Sequence, residues 1–173
     1  MHTPFTGLLL LPLTSPLRRT VTVTFPDGSP VAVIGRKFVS DRHRFRILDA
    51  TATTLLATGA ATSFDNDQYR LLGPRSEPIL DLAIDYSGRR RSTVTLADGR
   101  TFTTDGNASA TDYTVVDSAG CLVARLVTVG DAWSMRSPDL TLEVGVPAVS
   151  LLQAIGLAQC LLTLNGSRRR NGN

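Results

Sequence analysis

The feature that most constrains the fold is an apolar stretch near the C-terminus, PAVSLLQAIGLAQCLLTLNG, at residues 147–166. Leu and Ala replace the Val and Thr that dominate the preceding sequence. Proline is tolerated in the first turn of a helix, and Asn or Gly commonly follows the last turn. Pro147 and Asn165–Gly166 therefore predict a helix over about residues 148–164.

This predicted helix has no polar stripe. At 100° per residue, Ser150 and Gln153 fall on one side, and Gln159 and Thr163 fall on nearly the opposite side. A helix that is apolar on all sides has to be enclosed, either by a bilayer or by protein. The apolar run is shorter than the ~20 residues that span a bilayer. Its length of roughly 24 Å matches the height of a small β-barrel. We therefore favour a helix inside a barrel, with a tail anchor over residues 144–164 as the alternative.

The rest of the chain contains two copies of one β unit. FRILDA at 45–50 recurs as YTVVDS at 113–118, and VTFPDG at 23–28 recurs as VTLADG at 94–99, in the same order and at nearly the same offset. Asp-Gly supplies the positive φ angle that a tight hairpin requires. The repeat predicts two equivalent halves related by an approximate twofold axis.

Period-two alternation and regularly spaced turn residues predict about twelve strands. They fall near residues 20–25, 31–35, 44–48, 54–58, 69–72, 79–84, 92–97, 101–104, 113–116, 121–128, 132–136 and 140–146. Asp49 and Asp117 end their strands, where their carboxylates are suited to accepting backbone amides of the next turn. The predicted fold is mainly β: a closed twelve-stranded β-barrel with an internal pseudo-twofold repeat around a central hydrophobic C-terminal α-helix.

We divide the chain into an apolar N-terminal segment at 1–17, a barrel domain at 18–166 and a basic disordered tail at 167–173. Within the first, Gly7–Leu13 is interpreted as packing on the barrel or lying against a partner. The apolar run precedes Arg18–Arg19 rather than following basic residues, which is the wrong order for a signal peptide.

Composition and motifs indicate no catalytic, metal or cofactor site. The net charge of +3 does not indicate nucleic-acid binding. Common nucleophile, phosphate-loop and zinc motifs are absent, and His43 lies in a basic turn unsuited to orienting a nucleophile. FDNDQY at 64–69 lacks the glycine and glutamate of a calcium loop. Cys121 and Cys160 are expected to be buried free thiols in a reducing compartment, which favours a cytoplasmic location; a disulfide is the alternative.

The duplicated aromatic-x-aliphatic-aliphatic-Asp strands, followed by PDLTLEVGVPAVSLLQAIGLAQCLLTL, resemble the LURP-one-related proteins. These belong with phospholipid scramblases and tubby C-terminal domains, and the resemblance covers roughly residues 18–166. It implies a twelve-stranded barrel around a hydrophobic helix. Functions in the group range from phosphoinositide binding to lipid scrambling. The chain lacks the cysteine cluster and proline-rich arm of scramblases, and only Asp139 and Glu143 occupy their acidic calcium region, which puts scrambling in doubt.

Two groups of basic residues suggest a ligand. Arginine forks match phosphate geometry, and tubby-like domains are similar in placing basic residues at a headgroup site. The predicted lipid-headgroup residues are Arg36, Lys37, Arg42, Arg44, Arg89, Arg90 and Arg91, with Arg46 in the same region as the first four. The alternative is a solvated charged rim.

From these features we expect a non-enzymatic binding or scaffold protein, peripheral at a membrane through anionic phospholipids. The alternatives are a protein-interaction module that uses the N-terminal segment and, after it, a tail-anchored protein or scramblase.

Overall fold

The computed structural model describes residues 3–12, 20–36, 44–63, 67–85, 91–107, 112–129 and 139–171, with the backbone alone for Arg36, Val129, Asp139 and 164–171. These residues form twelve strands and one helix. They are β1 (Gly7–Pro12), β2 (Thr20–Thr24), β3 (Pro30–Arg36), β4 (Phe45–Asp49), β5 (Leu55–Ala61), β6 (Gln68–Leu72), β7 (Pro78–Asp85), β8 (Arg91–Leu96), β9 (Thr101–Gly106), β10 (Tyr113–Asp117), β11 (Leu122–Val129), β12 (Asp139–Val144) and α1 (Leu151–Asn171).

The sheet is a closed antiparallel barrel with a simple topology. Each strand pairs with its neighbours along the chain, and β1 closes the ring by pairing with β12. Inward side chains alternate with outward ones along each strand, as the pleat requires. In β8, for example, Val94 and Leu96 are buried while Thr93 and Thr95 are exposed. The predicted fold class is confirmed.

The helix α1 fills the inside of the barrel. Its buried positions include Leu152, Ile155, Leu157 and Leu161, which belong to one continuous core with the inward side chains of the strands. It packs against β5 and β7 on one side of the ring and against β12 on nearly the opposite side. Within the part of the chain that the structure describes, no helix is long and apolar enough to cross a membrane.

Both ends of the helix differ from the sequence prediction. The N–H of Gln153 donates to Oγ of Ser150 at 3.3 Å, and the N–H of Ser150 donates to Oε1 of Gln153 at 2.8 Å. This reciprocal capping box satisfies donors that the first turn leaves unpaired, so the helix begins at Leu151 rather than near Pro147. At its other end the backbone stays helical past Gly166 to Asn171, through most of the predicted tail.

The two copies of the β unit form matching turns. Between β2 and β3 the N–H of Gly28 donates to the carbonyl of Phe25 at 3.0 Å; between β8 and β9 the N–H of Gly99 donates to that of Leu96 at 2.9 Å. Both glycines have positive φ, 83° and 86°. The predicted Asp-Gly hairpins are confirmed.

The two strand-ending aspartates also act alike. Oδ1 of Asp49 accepts the N–H groups of Thr53 and Thr54 at 2.8 and 3.1 Å, and Oδ1 of Asp117 accepts that of Cys121 at 2.8 Å. The backbone hydrogen bond from Thr54 is the main cause that lowers the pKa of Asp49 to about 2. The predicted role of both aspartates is confirmed. The strands that carry them, β4 and β10, lie six positions apart in the twelve-stranded ring, or half a turn.

The first strand corrects our interpretation of the N-terminal segment. Gly7–Pro12 pairs along its whole length with β12, and Leu9 and Leu11 are fully buried. It is one of the twelve strands and not a separate apolar segment packed on the barrel. The other eleven strands correspond to predicted runs; the remaining predicted run, 132–136, lies outside the described residues.

The two cysteines have different environments. Both are free thiols. Cys160 is buried on the helix as expected, and burial raises the pKa of its thiol to about 12. Cys121 is exposed, so the expectation that it is buried is wrong. Cys121 directly follows the β10–β11 turn, where its backbone N–H donates to Oδ1 of Asp117.

Candidate functional site

The candidate site is a groove of about 640 Å³ in the outer wall of the barrel, centred on β4, β5 and β6. We call it the basic groove. Its volume lies in the usual range for small-molecule sites. The side chains that give it its character are those of Arg44, Arg46, Leu48, Thr58, Ala60, Arg70 and Leu72.

Strand alternation explains why these side chains meet outside the barrel. On β4, Phe45 and Ile47 are buried inside, so Arg46 and Leu48 face outward. Pairing then aligns the strands, because Arg46 lies opposite Thr58 of β5, which in turn lies opposite Leu72 of β6.

The floor of the groove is low because β5 has small outward side chains. Thr58 and Ala60 are shorter than the arginines and leucines of β4 and β6 on either side. Ala60 pairs directly with Arg70, while Arg44 precedes β4 on the other side of the groove. The arrangement leaves a channel over β5 between two walls of long side chains.

The three arginines of the groove differ in their partners. Nε of Arg70 donates to Oδ1 of Asp81 at 2.6 Å, and a second donor reaches Oδ2 at 3.4 Å. This fork is the main cause that raises the pKa of Arg70. Arg44 and Arg46 are exposed and make no ion pair with any carboxylate in the described part of the chain. The groove therefore holds positive charge that the described protein groups leave uncompensated.

The structure places only some of the predicted headgroup residues. Arg44 lines the groove, together with Arg46 from the same region. Arg36 ends β3, where its backbone pairs with Phe45 at the start of β4. Lys37, Arg42, Arg89 and Arg90 lie outside the described residues.

Arg91 lies elsewhere on the barrel. It begins β8, four strand positions from β4, and it does not line the basic groove. Its Nε lies 3.5 Å from Oδ2 of Asp105 on the neighbouring strand. At about 4.8 Å per strand, β8 is roughly 19 Å from β4 and roughly 10 Å from β6, the near side of the basic groove.

Arg70 was missed by the sequence analysis. It stands alone in QYRLL, away from any run of basic residues. The alternation of β6 does indicate that it faces outward, since Tyr69 and Leu71 are apolar and Arg70 lies between them. Its approach to Arg44 and Arg46 depends on barrel pairing across β5, which no local pattern reveals.

The twofold repeat supplies an internal comparison for the groove. A second groove of about 470 Å³ lies over β9–β11, in the other half of the barrel. Since Phe45 of β4 corresponds to Tyr113 of β10, Arg44 corresponds to Asp112 and Arg46 to Thr114. The fold accommodates an acidic and a neutral residue at the same two positions, so it does not require arginine there.

In this second groove the acidic side chain has a structural role. Oδ1 of Asp112 accepts the N–H of Thr128 at 2.9 Å, and Oδ2 accepts Nδ2 of Asn107 at 3.0 Å. Its floor is also higher, because Val127 occupies the position that corresponds to Ala60. The two grooves have therefore diverged in both charge and shape.

The fold defines this protein as a closed twelve-stranded antiparallel barrel around a central C-terminal helix. Among solved structures it is similar to the X-ray structure of the Arabidopsis thaliana protein AT5G01750, with a TM-score of 0.60 and 13% sequence identity over 96% of this chain and 94% of that one. At this identity the likeness shows a shared fold. No family model matches the chain, and no curated protein matches it in sequence.

Metal-binding side chains are not grouped in the described parts of the barrel. No cluster of three or more His, Cys, Asp or Glu side chains that could hold a metal ion occurs there. His43 and the first part of FDNDQY lie outside the described residues. The basic groove is therefore the feature on which we base a functional proposal.

Proposed function

We propose that this protein binds anionic phospholipid headgroups peripherally, through the basic groove, and that it has no catalytic role. The single observation that carries the proposal is the placement of Arg44 and Arg46 on the wall of an open groove, without a carboxylate partner in the described chain. A guanidinium offers paired donors to phosphate oxygens, so phosphate is the group that these side chains suit best.

Comparison of the two halves supports a functional rather than a structural role for these arginines. The equivalent positions hold Asp112 and Thr114, so Arg44 and Arg46 are not needed to form the barrel. Exposed charges also contribute little to stability. Residues that neither the fold nor its stability requires are those most free to serve a ligand.

We also propose that the chain belongs with the LURP-one-related proteins, on the motifs quoted above; its closed barrel around a hydrophobic helix agrees with this. The alternative of a partner-binding N-terminal arm is weakened, because Leu9 and Leu11 are buried within the barrel. A cytoplasmic location agrees with the free thiols but stays a prediction.

The test is flotation of the full chain with vesicles of phosphatidylcholine containing phosphatidylserine or phosphoinositide. The variant Arg44→Asp/Arg46→Thr introduces the residues that the other half carries at the same positions. A basic residue near an anionic surface contributes ~1 kcal/mol, so losing two lowers affinity about 30-fold, and the added carboxylate lowers it further. The melting temperature should stay nearly constant.

The matched control is Arg125→Ser, which removes one exposed arginine from the second groove. It should reduce flotation much less than Arg46→Thr, a loss of the same charge. Binding should also weaken steeply with salt, since charges are screened over about 10 Å at 0.1 M. Wild-type protein that ignores acidic vesicles at low salt contradicts the proposal. Replacing Arg89–Arg91 with alanine tests in the same assay whether the second predicted basic group contributes.

A further inference from the structure

The basic groove has an apolar end as well as a charged one. Arg44 and Arg70 face each other across Ala60 at one end. Further along the strands the character changes, because Leu72, two residues beyond Arg70 on β6, and Leu48, four residues beyond Arg44 on β4, also line the groove. Both leucines are only half-buried, so their outer surfaces remain open to a ligand.

The dimensions exceed what a phosphate group alone needs. Arg44 and Leu48 are four residues apart along one direction, or about 14 Å at 3.4 Å per residue. A volume of about 640 Å³ lies in the usual range for small-molecule sites, whereas a single phosphate fills only a small part of it.

We propose that the basic groove binds a single-chain anionic amphiphile, with its phosphate held by Arg44, Arg46 and Arg70 over Ala60 and its hydrocarbon chain running over Thr58, past Leu72, towards Leu48. The inference rests on the proposed function only in taking the groove as the site of the anionic group. It adds that the chain enters the groove, so the ligand is held as a monomer rather than as part of a membrane surface.

Charge and shape together favour this occupant. The arginines provide uncompensated positive charge at one end, which selects an anion over a neutral or cationic amphiphile. The low floor continues from Ala60 to Thr58, which lies opposite Leu72, and this gives the chain a path away from Arg44 and Arg70. In the second groove Val127 replaces the low floor at Ala60, Asp112 and Thr114 replace the two arginines of β4, and Arg125 occupies the position of Thr58.

The experiment is isothermal titration calorimetry of the full chain with hexyl, octyl and decyl phosphate, below their micelle concentrations, and with inorganic phosphate. Each methylene transferred from water into an apolar site raises affinity about fourfold. Octyl phosphate should therefore bind about 15-fold more tightly than hexyl phosphate if both added methylenes enter the groove. Inorganic phosphate should bind far more weakly than either.

Two matched variants locate the binding site. Thr58→Phe places a ring in the path proposed for the hydrocarbon chain and should abolish the gain with chain length. Val127→Phe places the same ring on the exposed floor of the second groove and should leave the gain intact. Arg44→Asp/Arg46→Thr should lower the affinity of all three alkyl phosphates by a similar factor. Octyltrimethylammonium, with the opposite charge, should not compete with octyl phosphate.

The outcomes separate this inference from the proposed function. Affinity that does not change with chain length, or a gain that survives Thr58→Phe, contradicts the inference, as does equal binding of octyltrimethylammonium. If acidic vesicles still bind in those cases, the proposed function stands alone. If alkyl phosphates bind as expected but vesicles do not, the inference stands and the membrane role is wrong.

Discussion

The close contact between the helix and the wall of the barrel gives the sharpest test of the fold. Gly156 lies in the middle of α1, where a Cβ atom would clash with Cδ2 of Leu71 on β6. Leu71 is fully buried, so its methyl group has little room to move away. Gly156→Ala should gain about 1 kcal/mol of helix propensity but lose about 1–3 kcal/mol to overpacking. The expected net result is a loss of up to about 2 kcal/mol.

Removing the opposing side chain should reverse the sign. Leu71→Ala alone should cost about 2–5 kcal/mol, since it deletes a buried side chain and leaves a cavity. In that background Gly156→Ala no longer meets the leucine methyl, so it should stabilise the protein by about 1 kcal/mol. A double-mutant cycle by urea unfolding should yield a coupling energy of about 1–3 kcal/mol. If Gly156→Ala stabilises the wild-type protein by about 1 kcal/mol, as in an exposed helix, the enclosed helix is wrong.

Two further predictions concern the repeated turns. Ala52 and Gly120 occupy equivalent turns at positive φ, 59° and 82°. That conformation costs a non-glycine residue about 1–2 kcal/mol, and the extra unfolded-state freedom of glycine costs about 0.4–1 kcal/mol. Ala52→Gly should therefore stabilise, and Gly120→Ala destabilise, by about 0.5–1 kcal/mol in thermal melts; shifts in the same direction would contradict the equivalence. The pKa of Asp49 is about 2 in the folded chain against an ordinary 3.8, so its contribution is present above pH 3.8 and is lost as the pH falls towards 2. Asp49→Asn should remove that part of the acid dependence in urea unfolding measured from pH 5 to 2, and an unchanged slope would refute the assignment.

Local turn chemistry made most of the fold predictable. The Asp-Gly pairs and the strand-ending aspartates form the same hydrogen bonds in both halves, so their spacing in the sequence reported the repeat correctly. The sequence also contains a signal for the observed helix start, which our prediction did not use: Ser150 and Gln153 form the S-x-x-Q pattern of a capping box. That signal outweighed Pro147, which suits a helix start but does not impose one.

The first strand escaped prediction for a physical reason. In GLLLLP the inward residues Leu9 and Leu11 are the same type as the outward residues Leu8 and Leu10. Burial alternates along this strand, but hydrophobicity does not, because the inward and outward residues are all leucine. The period-two pattern that predicts a strand is therefore missing from the sequence. What makes the segment a strand is its pairing with β12, more than 120 residues later in the chain.

The candidate site was predictable only in part. Arg44 and Arg46 stand out as a basic group in the sequence, but the groove also depends on Ala60 and Arg70 from the next two strands. No local sequence pattern shows how far apart two strands lie around the barrel. The sequence therefore could not show how far the basic group of Arg91 lies from that of Arg44; four strand positions separate them.

The repeat finally distinguishes residues that build the barrel from residues that are free to act. Gly28 and Gly99 make matching turns, and Asp49 and Asp117 cap matching strand ends, because both halves must close the same ring. Around the two grooves the halves differ. Where the first half has Arg44 and Ala60, the second half has Asp112 and Val127 at the equivalent positions. Both halves are under the same structural constraints, so the fold does not explain why these residues differ. The divergence therefore points to a ligand that one half binds and the other does not, and its positive charge and low floor indicate an anion with an apolar chain.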